Sequence, residues 1–274
     1  MITKKKAISI AESTIILLLC AVTVCMDFIK PSIVGDSLRN ALLLKIIQQS
    51  IGILACVLLM LKFNIKLFGK PQYLLYMLPC IVIAIDNFQW SAYFKGYMTL
   101  ARKEGRDIVL FAVYCMSVGL FEECIFRGVI FSLLAAVFSQ DRKGLWRTYV
   151  VSSFIFGGAH LSNGFSLGTL LQVIYTVLTG GLFAFVLLKT KNIFCCGFIH
   201  GLYNFCGMLF DTETRLGLGN GVVFDLGTVI TMSIVCISMG ILILYWIYRY
   251  SEEERVVLYG KLGISPKQQE NKDK

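Results

Sequence analysis

The chain has 274 residues, of which 57% are apolar and only 16% are charged. An average soluble domain carries about 25% charged residues, so this composition excludes an ordinary soluble domain and favours a chain that lies in a lipid bilayer. The net charge of +9 does not indicate nucleic acid binding, because Lys and Arg occur in short clusters between apolar runs. The ten Cys residues form no CxxC pair and are interpreted as buried, reduced thiols.

Eight apolar segments approach the length of about 20 residues that a helix needs to cross a bilayer. They predict an all-α integral membrane protein, a bundle of about eight transmembrane helices within a polytopic membrane domain at residues 1–250. In chain order the predicted spans are residues 7–26, 41–61, 73–94, 108–138, 146–160, 165–188, 193–210 and 222–248.

The distribution of basic residues predicts the orientation. An even number of spans places both termini on one side of the membrane, and most of the 26 Lys and Arg residues fall on that side. We therefore expect cytoplasmic termini, with the basic loop at residues 95–106 as the exception. The short loops favour a bacterial cell membrane. Residues 251–274 are polar and predict a loosely ordered cytosolic tail.

Three ionisable residues interrupt the predicted span at 108–138. A charged group inside a span costs several kcal/mol unless it is paired or hydrated, so each is a functional candidate. Glu123 and Arg127 are i and i+4 neighbours, which predicts an ion pair. Glu122 lies one position round the helix, on a different face. A structural ion pair with a second carboxylate facing water is one interpretation; participation in catalysis is the other.

The chain contains only two His residues, and both lie within or at the end of apolar spans. His160 follows Phe156 by four residues, and Asn204 follows His200 by four. Side chains four residues apart share a helix face, so His200 and Asn204 can converge on one substrate oxygen. The small residues beside both His residues permit the three polar segments to pack closely.

These residue types are those of a hydrolase. A carboxylate beside an imidazole can deprotonate water, while a second imidazole and a carboxamide can donate hydrogen bonds to the oxyanion. Glu122, His160 and His200 can alternatively supply three ligands to zinc with an activated water. Both arrangements are compatible with the sequence, in which the HExxH motif is absent.

Three short motifs, each on a separate predicted span, lie within about a third of the chain, residues 119–204. They resemble the signature motifs of the CPBP family, the CAAX prenyl protease and bacteriocin-processing enzymes that are also called the Abi family; we place its core at about residues 108–210. The motifs are EExxxR from Glu122 to Arg127, FxxxH from Phe156 to His160 and HxxxN from His200 to Asn204.

The resemblance implies an intramembrane endopeptidase of eight helices, with the active site inside the bundle. Its motif residues activate a water molecule and stabilise the oxyanion. Carried over to this chain, Glu122 is the general base with His160 as its partner, His200 and Asn204 form the oxyanion hole, Glu123 and Arg127 are the structural pair, and Phe156 lines the substrate cavity.

The resemblance also implies a substrate and a choice of cofactor. Members have been described as metalloproteases and as glutamic proteases, and we expect no cofactor to be required because the residues suffice. Zinc bound by Glu122, His160 and His200 is the alternative. The expected substrate is a peptide, or a lipidated or membrane-bound protein; in bacteria the role would be bacteriocin or signal-peptide maturation, or self-immunity.

Two other functions are compatible with a polar cluster in a helical bundle. The first is a non-catalytic scaffold or immunity partner of a sensor kinase or secretion system. The second is a transporter in which Glu122, His160 and His200 relay protons. A transporter would predict an inverted repeat, and the EExxxR segment has no second copy in the chain.

Overall fold

The computed structural model describes residues 38–100, 104–210, 217–220 and 226–264, so the predicted span at 7–26 lies outside the described residues. Helices dominate the described parts of the chain. In order they are α1 (Leu38–Lys62), a 3-10 turn (Leu74–Met77), α2 (Leu78–Asp86), α3 (Trp90–Phe94), α4 (Gly105–Glu123), a π-helical segment (Cys124–Ile130), α5 (Phe131–Val137), α6 (Arg142–Ala159), a 3-10 turn (His160–Asn163), α7 (Leu167–Thr190), α8 (Ile193–Met208), α9 (Leu226–Tyr248) and α10 (Glu252–Lys261).

Four of these helical stretches are long and apolar enough to cross a membrane. They are α1, α7, α9 and the continuous stretch Gly105–Val137, whose 33 residues extend for about 50 Å at 1.5 Å per residue. Two shorter apolar stretches, Leu74–Asp86 and Ile193–Met208, accompany them. This architecture confirms the predicted all-α, multi-pass membrane protein. The count of eight spans stays a prediction.

The segment at residues 73–94 is not the single helix that we predicted. The 3-10 turn precedes α2, and Pro79 stands in the first turn of that helix, where its missing N–H leaves no hydrogen bond unmade. Gln89, between α2 and α3, has a φ of 61°, in the left-handed region that a helix interior excludes. These local features divide the segment into short pieces.

A short antiparallel sheet joins two of the connections. Strand β1 (Thr99–Leu100) pairs with strand β2 (Gly219–Asn220), and Thr99 lies opposite Asn220. The pairing ties the connection before α4 to the one after α8. It lies beside a small cluster of buried apolar residues that includes Leu42, Phe111 and Phe210.

Helix α7 lies partly at the centre of the bundle. Every residue from Thr179 to Thr190 is buried, whereas the first half of the helix exposes large side chains such as Leu167 and Leu178, which are 74% and 70% exposed. The outer faces of α1 and α9 are similarly apolar. Exposed apolar surface of this extent is expected where lipid, not water, surrounds the helices.

Glycines bring α4 and α8 into backbone contact. A Cβ atom on Gly119 would lie 2.5 Å from the N atom of Gly201 and 2.7 Å from the O atom of Gly197. A Cβ atom on Gly201 would lie 2.8 Å from the Cα atom of Met116. Small residues four apart allow helices in a membrane to approach this closely. The same contact places the polar residues of α4 beside those of α8.

The expectation of a loosely ordered tail is wrong for residues 252–261, which form α10. Ser251 and Glu254 make a reciprocal capping box at its start, and Lys189 of α7 pairs with Glu254 at 2.8 Å. Leu258 and Tyr259 are buried in the main core. The apolar residues of this short helix therefore dock it onto the bundle. Residues 265–274 lie outside the described residues.

Candidate active site

The helix that carries the EExxxR motif changes geometry within the motif. The α-helical backbone of α4 ends at Glu123, and the π-helical segment begins at Cys124 and includes Arg127. Six of its seven residues are buried. Single-turn π-helical segments inside α-helices are rare and occur frequently at functional sites. No local pattern predicted this change, because residues 108–138 are largely apolar apart from the motif.

Glu123 and Arg127 form the predicted ion pair. Arg127 Nε lies 3.2 Å from Glu123 Oε2, and both side chains are completely buried. Arg127 Nη2 also donates a hydrogen bond of 2.7 Å to the carbonyl oxygen of Gly180 in α7. The guanidinium lies over the ring of Phe156, 4.6 Å from its centroid. The pair thus joins the motif helix to α6 and α7.

His200 lies between the two glutamates of the motif. Its Nδ1 atom is 3.0 Å from Glu123 Oε1, and its Nε2 atom is 3.8 Å from Glu122 Oε2. An ionised carboxylate only accepts hydrogen bonds, so this contact assigns a proton to Nδ1. The imidazole stacks on the Phe183 ring, with the centroids 4.3 Å apart. Glu123 therefore fixes the ring of His200 and turns its Nε2 atom toward Glu122.

Phe156 and His160 complete the cluster from the end of α6. The Phe156 ring is 1% exposed, and its centroid lies 5.3 Å from that of His160 and 5.7 Å from that of His200. His160 Nδ1 is 3.1 Å from the Phe156 carbonyl oxygen. A carbonyl oxygen accepts, so the proton of a neutral His160 lies on Nδ1, and Nε2 carries the lone pair.

The structure thus brings the three motifs together, with one difference from the predicted grouping. His200, which the resemblance assigns to the oxyanion hole, contacts both glutamates. Glu122 remains partly exposed, with 23% of its side chain accessible. Asn204 is partly buried one turn beyond His200 on α8.

The alternative zinc set of Glu122, His160 and His200 stays a prediction. Within the parts of the chain that the structure describes, no group of three His, Cys, Asp or Glu side chains is positioned to hold a metal ion. His160 and His200 both lie beside the Phe156 ring, and Glu122 lies 3.8 Å from His200.

Three contributions to the site escaped the sequence analysis. Phe183 packs against both the Arg127 guanidinium and the His200 ring, and the carbonyl of Gly180 accepts from Arg127. The adjacent Gly180 and Gly181 were the available signal, since paired glycines in a span indicate close helix packing. A third contribution comes from Asn87, whose Nδ2 atom donates to the carbonyl oxygen of Tyr203 at 3.0 Å.

The fold and the site define the class of the protein. It is a multi-pass helical membrane protein with a buried cluster of glutamate, histidine and arginine. Residues 104–206 match the family model described as type II CAAX prenyl endopeptidase Rce1-like. The match contains all three motifs and agrees with the resemblance to CAAX proteases that they carry. Comparisons with curated proteins and with solved structures found no match.

Proposed function

We propose that this CAAX-protease-like intramembrane endopeptidase hydrolyses its peptide bond with a water molecule that Glu122 activates and with His200 and Asn204 as oxyanion donors. The observation that carries the proposal is the position of His200, with one nitrogen on the buried Glu123 and the other facing the partly exposed Glu122. A base that substrate and water can reach therefore stands beside a rigidly held imidazole.

In the proposed reaction Glu122 takes a proton from water, with His160 as its partner, and the hydroxide attacks the peptide carbonyl carbon. His200 Nε2 and the Asn204 carboxamide donate hydrogen bonds to the oxyanion. When the tetrahedral intermediate collapses, the carbon–nitrogen bond breaks and the proton on Glu122 passes to the leaving amine.

His200 must be an imidazolium to donate from Nε2 while Nδ1–H is held by Glu123. That state balances the charges of the cluster, because two carboxylates then face one guanidinium and one imidazolium. Glu123 is shared between Arg127 and His200, at 3.2 Å and 3.0 Å. We propose that the second glutamate of the motif, Glu123, serves to hold both Arg127 and His200 in place.

The proposed substrate is a membrane-associated peptide or a lipidated or membrane protein. The lipid-facing surfaces around the site support this class, since a substrate must reach Glu122 from within or beside the bilayer. We further propose a bacterial cell membrane with cytoplasmic termini, and a role in bacteriocin or signal-peptide maturation or in self-immunity. We propose a glutamic mechanism, because the cluster supplies a base and oxyanion donors from its own side chains.

The experiment is peptide release, followed by mass spectrometry, from membranes of a deletion strain that expresses wild type or variants at equal levels. We expect Glu122→Gln to lower release at least about 100-fold, the effect of removing a general base. Glu253→Gln is the matched control, because this glutamate is exposed on α10 and far from the motifs in sequence. It should retain full release.

Two results would change the proposal. Release from Glu122→Gln equal to that of the control would remove the catalytic assignment and favour a non-catalytic scaffold. Loss of release after chelation, with recovery on addition of zinc, would replace the glutamic mechanism with a metal-dependent one while keeping the protease.

A further inference from the structure

The connection between α1 and α2, residues 63–72, is held firmly against one end of the bundle, and we call it the ledge. Residues 63–72 lie over the turn that joins α7 to α8. The backbone N–H of Ile193 donates to the Leu67 carbonyl oxygen at 2.9 Å, and Asn192 Nδ2 donates to the Gly69 carbonyl oxygen at 2.5 Å. These bonds join segments that are more than 120 residues apart, so the ledge is part of the folded bundle.

An open groove of about 470 Å³ lies beside the ledge, along the outward face of α8. Phe68 of the ledge packs on Phe194 with the ring centroids 5.7 Å apart, and Phe198 continues the wall one turn further along α8. Phe194 and Phe198 are 52% and 48% exposed despite their size. Met77 lines the groove as well. The walls are therefore largely apolar and unfilled by the rest of the chain that the structure describes.

One charged residue, Lys70, lines the groove, and it is exposed on the ledge. It belongs to a basic end of the bundle, which we define by the Lys and Arg residues at the ledge, at the ends of α1, α6, α7 and α9, and in α10. These residues are Lys62, Lys66, Lys70, Arg142, Lys143, Arg147, Lys189, Lys191, Arg249, Arg255 and Lys261. Basic residues at the end of a membrane bundle attract anionic lipid headgroups.

We propose that this groove binds one anionic phospholipid, with an acyl chain along Phe194 and Phe198 and its phosphate beside Lys70. A ligand must match two neighbouring chemistries: an elongated apolar wall and the positive charge of Lys70 in the groove lining. A phospholipid has both parts in that order, and the surrounding bilayer supplies it. A soluble anion would leave the aromatic wall empty, and an uncharged lipid would leave Lys70 unused.

The position of the groove gives the lipid a structural role. Phe198 and His200 are two residues apart on α8, so they project to different faces of the helix. Phe198 faces the groove, while His200 is 4% exposed and faces the glutamates. A bound lipid therefore supports α8 from the side opposite the candidate active site. Binding itself is independent of whether the proposed peptide cleavage occurs.

The test uses purified full-length protein in nanodiscs of phosphatidylcholine that contain a trace of photoactivatable lipid, either phosphatidylglycerol or phosphatidylcholine with a diazirine in one acyl chain. Crosslinked peptides are identified by mass spectrometry. We expect phosphatidylglycerol to label the segment that contains Phe194 and Phe198 in preference to phosphatidylcholine. Lys70→Ala should reduce that labelling about fivefold, the effect expected when one Lys near an anionic headgroup is lost.

Two control variants separate the groove from ordinary lipid contact. Lys143→Ala removes an exposed charge from the basic end outside the groove, and Leu75→Ala removes an apolar side chain that is 78% exposed and is not a groove residue. Both should label as wild type does. Phe198→Ala should lower labelling, with thermal unfolding measured to verify the fold. Equal labelling by the two lipids, or unchanged labelling in Lys70→Ala, would overturn the proposal.

Discussion

Two buried ion pairs stabilise different parts of this protein, and they differ in how they are built. Glu123–Arg127 lies within one helical stretch at the centre of the bundle, with both side chains fully buried. Lys189–Glu254 joins α7 to α10 at the basic end, between residues 65 apart in the chain, and its side chains are 5% and 16% exposed. The central pair also holds His200, whereas the pair at the basic end attaches a helix. Only the central pair should therefore couple stability to activity.

The largest effect is expected for Glu123→Gln. The change leaves Arg127 buried without its counter-charge, which costs about 3–5 kcal/mol, and it removes the charged acceptor of His200 Nδ1. Thermal unfolding and peptide release should both fall. The double variant Glu123→Gln with Arg127→Met should regain stability without regaining release. If release returns with stability, Glu123 serves the fold alone.

A smaller effect is expected for Gly119→Ala, which alters the packing that brings the central residues together. The added Cβ atom would lie 2.5 Å from the N atom of Gly201, and separating α4 from α8 should cost about 1–3 kcal/mol and reduce release. Gly240→Ala in α9 is the matched control, because its Cβ atom meets no atom within 4 Å. Equal melting temperatures for the two variants would show that the close approach is dispensable.

Glu254→Gln tests the pair at the basic end. The partly exposed position and the remaining cap and core contacts of α10 limit the expected loss to about 1 kcal/mol. Peptide release should stay within about threefold of wild type, because the pair contacts none of the motif residues. Limited proteolysis of α10 provides the direct measurement. A loss of release comparable to that of Glu123→Gln would erase the distinction between the two pairs.

The smallest expected effect concerns Lys191, next to the pair at the basic end and outside the spanning part of α7. Burial lowers the pKa of Lys191 from 10.5 to about 8, while Glu254 opposes this shift and Lys189 adds to it. Between about pH 8 and 10.5 the unfolded chain binds more protons at this site than the folded chain, so stability rises with pH there. The melting temperature of wild type relative to Lys191→Met should rise across that window. A flat difference would contradict the assignment.

The two pairs also show what the sequence could predict. A spacing of four residues identified Glu123–Arg127 because helical geometry fixes neighbours at that distance. The spans were recognisable for the same reason, since lipid requires long apolar helices. The contact between His200 and Glu123 joins residues 77 apart and follows from the glycine packing of α4 on α8. No local rule predicts it.

The remaining differences have physical causes that act over long distances or through single backbone angles. The docking of α10 depends on Lys189 and on a core built from distant helices, so composition alone suggested an unstructured tail. The division of residues 73–94 involves a 3-10 turn and the left-handed backbone of Gln89, which apolar periodicity does not predict. The roles of Glu122, His160, His200 and Asn204 stay predictions until variants are measured.

Because of the π-helical segment, the contacts of the first motif depend on the exact number of residues in that segment. A wider turn accommodates one more residue than an α-helical turn does, and Arg127 lies inside that turn. Removing one residue from Cys124–Ile130 would return the stretch to a regular helix and rotate one half of the 33-residue rod against the other. A deletion before Arg127 would then shift its guanidinium relative to the Gly180 carbonyl oxygen and the Phe156 ring, which it contacts. The number of residues in Cys124–Ile130 is therefore as important for the site as the charged residues of the motif.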